Sequence, residues 1–211
     1  MSRCWIFDFD GTLVDSEKHI RETFIKITKK IAPERIDFAA KVLIGPPLED
    51  TAKEILGDSH IKSLKFFTEN FIKMHDEEIL KNTIPYTNSQ QILKSLFKMG
   101  DKIAIATNKR KIPTIKIINY LGWNEFFLSI ECSDSEKKRR NKSEMIEDLL
   151  SKDIDFKKSF FVGDTIGDAS AAIGKNLKFI KANYGYGRNQ DWSTFKIYKE
   201  INKIEDLKKV S

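Results

Sequence analysis

Cysteine is scarce in this chain: of 211 residues only Cys4 and Cys132 carry thiols. Two thiols cannot make a disulfide framework, and neither stands in a zinc-type pair. Both lie in apolar stretches, which points to small buried side chains. Long hydrophobic runs are missing as well. No stretch approaches the roughly 20 apolar residues that a membrane-spanning helix needs, so the chain is not expected to be a membrane protein. The opening Met1-Ser2-Arg3-Cys4-Trp5-Ile6-Phe7-Asp8 meets an acid too early for a secretory h-region, and the expected location is a reducing cytoplasm. The only histidines, His19, His60 and His75, form no ligand spacing and read as surface residues. Internal repeats and low-complexity linkers are absent too.

What is present is enough for a full-sized core: 40% of residues are apolar and 15 are Phe, which argues against wholesale disorder. Lys and Arg number 37 against 31 Asp and Glu, a net charge of +6. A positive field raises encounter rates with anions. The charges are interspersed, however, so much of the excess reads as solvated lysine, and nucleic-acid or other polyanion binding is the lesser reading.

Short apolar runs bounded by turn residues alternate with segments of helical period, the pattern of an α/β fold with a parallel sheet. The strand candidates are 4–9, 102–107, 127–132, 159–163 and 177–181. Between them, 89–99 places Ile92, Leu93, Leu96 and Phe97 on one helical face, a second helix runs from Pro113 to Gly122, and a third starts near Ser143. From Glu17 to about Asn82 the pattern is helical only. Ile20, Phe24, Ile27 and Ile31 form one stripe, and Ile61, Leu64, Phe67, Phe71 and Met74 another. Such stripes are the inward faces of a small helical bundle. The expected organisation is a core of 1–16 and 83–211, interrupted by a helical domain of 17–82.

Three strand ends carry unusual chemistry. Asp8 and Asp10 end the first strand; two apart, they point the same way if the extended geometry continues. Burying two like charges together is costly unless a cation offsets them. Gly11 permits a turn directly after them and Thr12 offers a hydroxyl. A second strand ends in Thr107-Asn108, and a third runs into Asp164-Thr165-Ile166-Gly167-Asp168. In an open parallel sheet, sites form at the carboxyl edge of the strands, so the three ends can meet in one crevice. Asp8, Asp10, Asp164 and Asp168 then offer oxygen ligands to a hard divalent cation, for which Mg²⁺ is the best fit. Taken singly, Asp164 and Asp168 also read as helix caps and Thr107 as a structural residue; the joint pattern favours a site.

The run Asp8-Phe9-Asp10-Gly11-Thr12-Leu13-Val14-Asp15-Ser16 resembles the first motif of the haloacid dehalogenase-like hydrolase superfamily. Ile103-Ala104-Ile105-Ala106-Thr107-Asn108-Lys109 is similar to its second motif, and Phe161-Val162-Gly163-Asp164-Thr165-Ile166-Gly167-Asp168-Ala169 to its fourth. The helical insertion resembles the subclass with a helical cap, and Ile44-Gly45-Pro46-Pro47-Leu48-Glu49 resembles phosphoglycolate-phosphatase-like members. The resemblance implies a Rossmann-like parallel-sheet core with an inserted α-helical cap. It also implies a Mg²⁺-dependent phosphatase of a small phosphorylated metabolite. Asp8 would be the nucleophile that forms an aspartyl-phosphate, and Asp10 the general acid and base. The metal would be held by the Asp8 carboxylate, the Asp10 carbonyl and Asp164, with Asp168 as ligand or support. Thr107 and Asn108 would hold phosphate oxygens.

The third motif is weaker. The family places a Lys beside the phosphate before the fourth strand, often followed by prolines. Here Lys137-Lys138-Arg139-Arg140-Asn141-Lys142-Ser143-Glu144 offers several cations and no proline. Lys142 is chosen because it precedes Ser143, read as the N-cap of the next helix, where both features favour an anion. The alternative is a solvated loop with a different Lys serving.

An acid at position 10 points to cleavage of a P–O bond, since the dehalogenase and phosphonatase branches lack it. Transfer to a sugar, as in β-phosphoglucomutase-like members, uses the same core residues. It fits less well, because Thr12 stands where that branch prefers a branched aliphatic and His19 is one position from its cap histidine. Substrate choice is assigned to the cap, with Gly45, Pro46 and Pro47 as the segment that reaches the site or, alternatively, a rigid turn. Lys18 and Arg21 read as a solvated helix face, the lesser alternative being contact with a second anionic group, and the loop 183–187 reads equally as a border of the crevice or a plain turn. The competing readings are a nucleotide or nucleic-acid-end phosphatase or binder, and a catalytically idle interaction module.

Overall fold

A computed structural model describes residues 3–135, 139–151 and 158–210. Its centre is a parallel sheet of six strands. These are β1 (Cys4–Phe7), β4 (Lys102–Thr107), β5 (Ser129–Cys132), β6 (Ser159–Gly163), β7 (Lys178–Ala182) and β8 (Lys199–Ile201), in the order β5-β4-β1-β6-β7-β8. Two short segments, β2 (Val14–Asp15) and β3 (Ile84–Pro85), pair antiparallel away from this sheet, Val14 opposite Pro85 and Asp15 opposite Ile84. The strand order reverses around β1, whose neighbours are β4 on one side and β6 on the other, so the crevice of this sheet lies at the end of β1.

Burial explains the composition of the strands. Cys4-Trp5-Ile6-Phe7 is buried throughout because helices cover both faces of the sheet. Trp5 and Phe7 join Ile103, Ile105 and Val162 in one layer, beneath α5 (Ser89–Lys98) and α6 (Lys111–Leu121). Cys4 and Ile6 join Ala104, Ala106 and Phe161 in the other, beneath α7 (Lys142–Leu150) and α8 (Ile166–Gly174). Both thiols are buried, and burial pushes Cys4 up to about 12 and Cys132 to about 11.

Between β2 and β3 lie α1 (Glu17–Ile31), α2 (Ile36–Ala39), α3 (Leu48–His60) and α4 (Leu64–Asn82). They bury their own cluster of Ile20, Phe24, Ile27, Ile55, Phe67 and Phe71, to which the distant Tyr186 is added. Within the two stripes, Ile61 departs from expectation. It lies in a 3-10 turn between α3 and α4, where the helical period is lost, and is 41% exposed. Phe97 is likewise at the rim of the α5 face, half exposed and edge-on to Phe126. Among the described residues no helix is long and apolar enough to cross a membrane.

Candidate active site

Asp8 follows β1 directly and keeps the sheet pairing for one more residue, its N–H donating to the Val162 carbonyl at 2.9 Å. The chain then turns: the Phe9 carbonyl accepts N–H groups from Thr12, Leu13 and Val14, and Gly11 takes φ +80°. A Cβ at Gly11 would stand 2.5 Å from Asp164 Oδ2, so the turn needs both the positive φ and the missing side chain. This turn separates the two acids that a continued strand would align. Asp8 faces Asp164 and Asp168, and ligand oxygens of these three lie within 4.8 Å of one another. The Asp10 carboxylate instead accepts from the Lys109 ammonium at 2.9 and 3.2 Å and from the Ser16 hydroxyl at 2.6 Å. Among the described residues three acidic side chains therefore converge, where the sequence reading expected four.

Each of the three is fixed differently. Asp164 is buried, and its Oδ2 accepts the Tyr186 N–H at 2.6 Å while Oδ1 accepts the Thr12 hydroxyl at 3.2 Å. Asp168 closes a capping box with Thr165 at the start of α8, Oδ2 accepting the Thr165 N–H at 2.9 Å and its hydroxyl at 2.7 Å. The cap reading and the site reading of Asp168 are thus both met, because its Oδ1 pairs with Lys142. Asp8 is the under-satisfied member. Lys142 Nζ lies 3.0 Å from its Oδ1 as an ion pair, yet that buried oxygen has no hydrogen-bond partner among the described residues.

The electrostatics follow from three buried carboxylates facing one ammonium. Burial raises Asp8 to about 7, opposed by Lys142 and reinforced by Asp168. Burial, then Asp168 and Asp8, hold Asp164 well above the usual carboxylate range. Burial alone would lower Lys142, but the carboxylates of Asp168 and Asp8 outweigh it and keep the ammonium charged. The cluster carries an excess of negative charge in a dry setting. With an orphaned oxygen on Asp8, these residues fit a small divalent cation held by oxygen ligands.

Lys142 comes from the first turn of α7, whose N-cap is Asn141 rather than the expected Ser143. Asn141 Oδ1 accepts the Glu144 N–H at 2.9 Å and Glu144 Oε2 accepts the Asn141 N–H at 2.8 Å, a reciprocal pair that Ser143 could not close. In the same basic run, Arg140 is buried against Glu131 and Asp148, and Arg139 reaches Glu49 and Asp50 of α3. Lys137 and Lys138 lie outside the described residues.

Thr107 ends β4 beside Asp8, buried, its hydroxyl accepting the Lys109 N–H at 3.2 Å. The Asn108 side chain turns away from the acids and donates to the Gly45 carbonyl at 2.9 Å. That bond brings the loop before α3 onto the core. Gly45, at φ +136°, passes so near Thr165 that a Cβ would lie 2.9 Å from its methyl group. Gly45 and Pro46 line a cavity of about 90 Å³ that reaches Asp8, Asp10 and Thr107 and is walled by Ile20, Phe24 and Phe71. Pro47 stands just outside it, its carbonyl accepting the Asp50 and Thr51 N–H groups in the first turn of α3.

The histidine reading needs correction. His19 and His75 are buried, with rings stacked at 5.1 Å, and His75 lines the cavity. Their positions, one near the start of α1 and one late in α4, place them on facing helices, which spacing along the chain cannot reveal. His60 pairs with Glu34. Arg21 is not a solvated side chain either; it binds the Ala40 and Val42 carbonyls and Glu17. Lys109 and Arg110 also carry weight that the sequence reading did not assign, and Tyr186, in the loop 183–187 that it singled out, reaches Asp164. Arg110, just before α6, pairs with Asp76 of α4 at 2.6 Å. The available signal was the position of Lys109 and Arg110 directly after Thr107-Asn108.

Comparison with known proteins agrees with this geometry. The model of the family described as haloacid dehalogenase-like hydrolase matches residues 5–182. A phosphoglycolate phosphatase of Psychrobacter arcticus is 27% identical over 203 residues, covering 88% of this chain and 85% of that protein. The pyrophosphatase PpaX of Listeria innocua is 26% identical over 185 residues, covering 86% of this chain and 82% of its own. Among solved structures, a haloacid dehalogenase-like family hydrolase from Streptococcus pneumoniae superposes with a TM-score of 0.82 at 20% identity. That match covers 100% of this chain and 99% of the other.

Proposed function

The chain belongs to the haloacid dehalogenase-like hydrolases, and we propose that it is a Mg²⁺-dependent phosphatase that cleaves a small phosphorylated metabolite through an aspartyl-phosphate on Asp8. The observation that carries the proposal is the convergence of Asp8, Asp164 and Asp168 at the switch point of the sheet, buried, with Asp8 lining the cavity and its Oδ1 held only by the Lys142 ion pair among the described residues. Asp8 and Asp164, with the Asp10 carbonyl, are the residues we assign to the metal. Asp168 has both oxygens engaged and serves to hold Lys142 and the turn after β6. The bound cation supplies positive charge that offsets repulsion between an anionic nucleophile and an anionic phosphate.

Asp8 attacks phosphorus in line, forming the Asp8 O–P bond as the bond from phosphorus to the leaving oxygen breaks. Asp10 gives its proton to that oxygen. It then takes a proton from water as the water oxygen displaces phosphate from Asp8. Lys142 and Thr107 face the transferring group, and Asn108 contributes through its backbone. Residues 17–82 act as a cap, because Gly45–Asn108 and Asp76–Arg110 join them to the core beside the cavity and the Arg139 pairs with α3 add a further tie. Substrate entry requires these contacts to part, and their closure excludes water.

Two features favour a small metabolite over a polynucleotide end. The cavity is about 90 Å³ and mostly apolar-walled. The arginines around it are spent on carboxylates of the same chain. The test is turnover of a panel of phosphate esters and anhydrides by metal-free protein, with and without added Mg²⁺, beside the Asp8→Asn variant. Mg²⁺-dependent phosphate release lost in that variant is the expected result; hydrolysis retained by Asp8→Asn would remove the nucleophile assignment.

A further inference from the structure

One buried polar atom, on a residue that lines the cavity, has no role in the chemistry above. His75 is 3% exposed and lines the cavity from α4, and its Nε2 has no hydrogen-bond partner among the described residues. We propose that His75 Nε2 is a specificity-determining hydrogen-bond acceptor that selects leaving groups bearing a hydroxyl donor. The inference rests on the phosphatase reading and narrows its substrate class.

The protonation pattern follows from neighbours. Burial works against the Asp76 carboxylate, but the His75 and Arg110 donors hold it below its usual range, so it is an acceptor only. His75 Nδ1, 3.4 Å from Asp76 Oδ1, is then the protonated nitrogen of the ring. Burial pushes His75 down to about 4, which keeps the imidazole neutral at physiological pH and leaves Nε2 as a bare lone pair. The ring cannot drift to find a partner, because it is stacked between His19 and Phe71, with centroids at 5.1 and 5.0 Å.

Position ties this acceptor to the leaving group. The titratable groups that act on the ring besides Asp76 are Lys109, Asp10 and the stacked His19, and Asp10 is the residue assigned to protonate the leaving oxygen. Apolar Ile20, Phe24 and Phe71 line the same cavity, together with the polar Thr51, Lys109 and Arg110, of which the last two are already paired with Asp10 and Asp76. A leaving group lodged against Phe71 and His75 meets hydrocarbon and, on the His75 ring, one unsatisfied acceptor. A hydroxyl, on carbon or on phosphorus, completes it. A methyl leaves it unpaired, and a carboxylate sets lone pair against lone pair.

The experiment compares kcat/KM for matched substrates on the metal-loaded enzyme. 2-Hydroxyethyl phosphate and pyrophosphate carry a hydroxyl on carbon and on phosphorus; n-propyl phosphate and phosphoglycolate do not. We expect at least one hydroxyl-bearing substrate to exceed both others by about tenfold or more. In His75→Phe, which keeps the ring stack, that advantage shrinks to near unity because the loss falls on the hydroxyl-bearing substrates more than on n-propyl phosphate. His75→Gln, with its amide oxygen, restores part of it. Equal turnover of all four substrates by the wild type overturns the proposal, as does a His75→Phe loss that is uniform across them, since that marks a structural residue. Failure of the phosphatase reading looks different: the wild type would release no phosphate even from p-nitrophenyl phosphate, and the inference would fall with it.

Discussion

The Lys109 ammonium sits 2.9 Å from Asp10 Oδ2 and 3.2 Å from Oδ1, and its side chain is only 6% exposed. Lys109 comes from the loop after β4 and Asp10 from the loop after β1, so this pair ties together two of the strand ends that build the crevice. With the Ser16 hydroxyl also donating to Oδ1, it holds the carboxylate apart from the cluster of Asp8, Asp164 and Asp168, where Asp10 lines the cavity.

Replacing Lys109 by Met keeps the stem and removes the charge. If Lys109 positions Asp10, kcat falls by roughly tenfold to a hundredfold with little change in KM, the scale expected when a catalytic group loses its orientation. Steady-state kinetics decide it. A rise in KM alone would make Lys109 a substrate-binding group instead.

The raised Asp8 makes a sign-specific prediction about stability. Its folded value, about 7, lies above the ordinary 3.8, so between these limits the native state holds more protons than the unfolded chain. This group's contribution is therefore fully present below about pH 4 and is lost as pH rises toward 7. Asp8→Asn, which cannot ionise, should gain stability over the wild type from pH 5 to pH 7, of order a few kcal/mol at most because Asp164 and Asp168 share the site. Urea unfolding in EDTA at both pH values measures the difference. Saturating Mg²⁺ should raise the wild-type midpoint more at pH 7 than at pH 5; a Mg²⁺ effect equal at both would contradict the carboxylate cluster as its site.

Asp76 and Arg110 join the helical insertion to the core, both side chains 23% exposed. A pair so placed is worth about 1 kcal/mol or less and weakens in salt. A double-mutant cycle with Asp76→Asn and Arg110→Gln should return a coupling of that size by urea unfolding, smaller in 1 M salt. Asp76→Asn also frees the His75 tautomer and should erode the hydroxyl preference, whereas Arg110→Gln should not.

Particular elements show where the sequence was legible. The strand β1 could be read because parallel central strands are apolar on both faces, and the helices of 17–82 because their stripes repeat at helical spacing. Strand β8 escaped notice: Lys199-Glu200-Ile201 is a short edge strand with one buried side chain, and such a segment carries little pattern. The two-residue ribbon of β2 and β3, through which the chain enters and leaves the insertion, is shorter than any periodicity can report.

For the site, local chemistry was readable and direction was not. Asp8, Asp10, Thr107, Asp164 and Asp168 stood out because acids and hydroxyls at the ends of apolar strands need an explanation. Their order along the chain and the parallel topology placed them at one edge. Which way each carboxylate points depends on Gly11 turning the backbone after Asp10, and on Lys109, Ser16 and Tyr186 arriving from other loops. The burial of His19 and His75 depends on α1 packing against α4. Sequence determines what a residue can donate, accept or bury; the partner it meets is chosen by contacts between segments far apart in the chain, and those exist only once the sheet and the helices have packed.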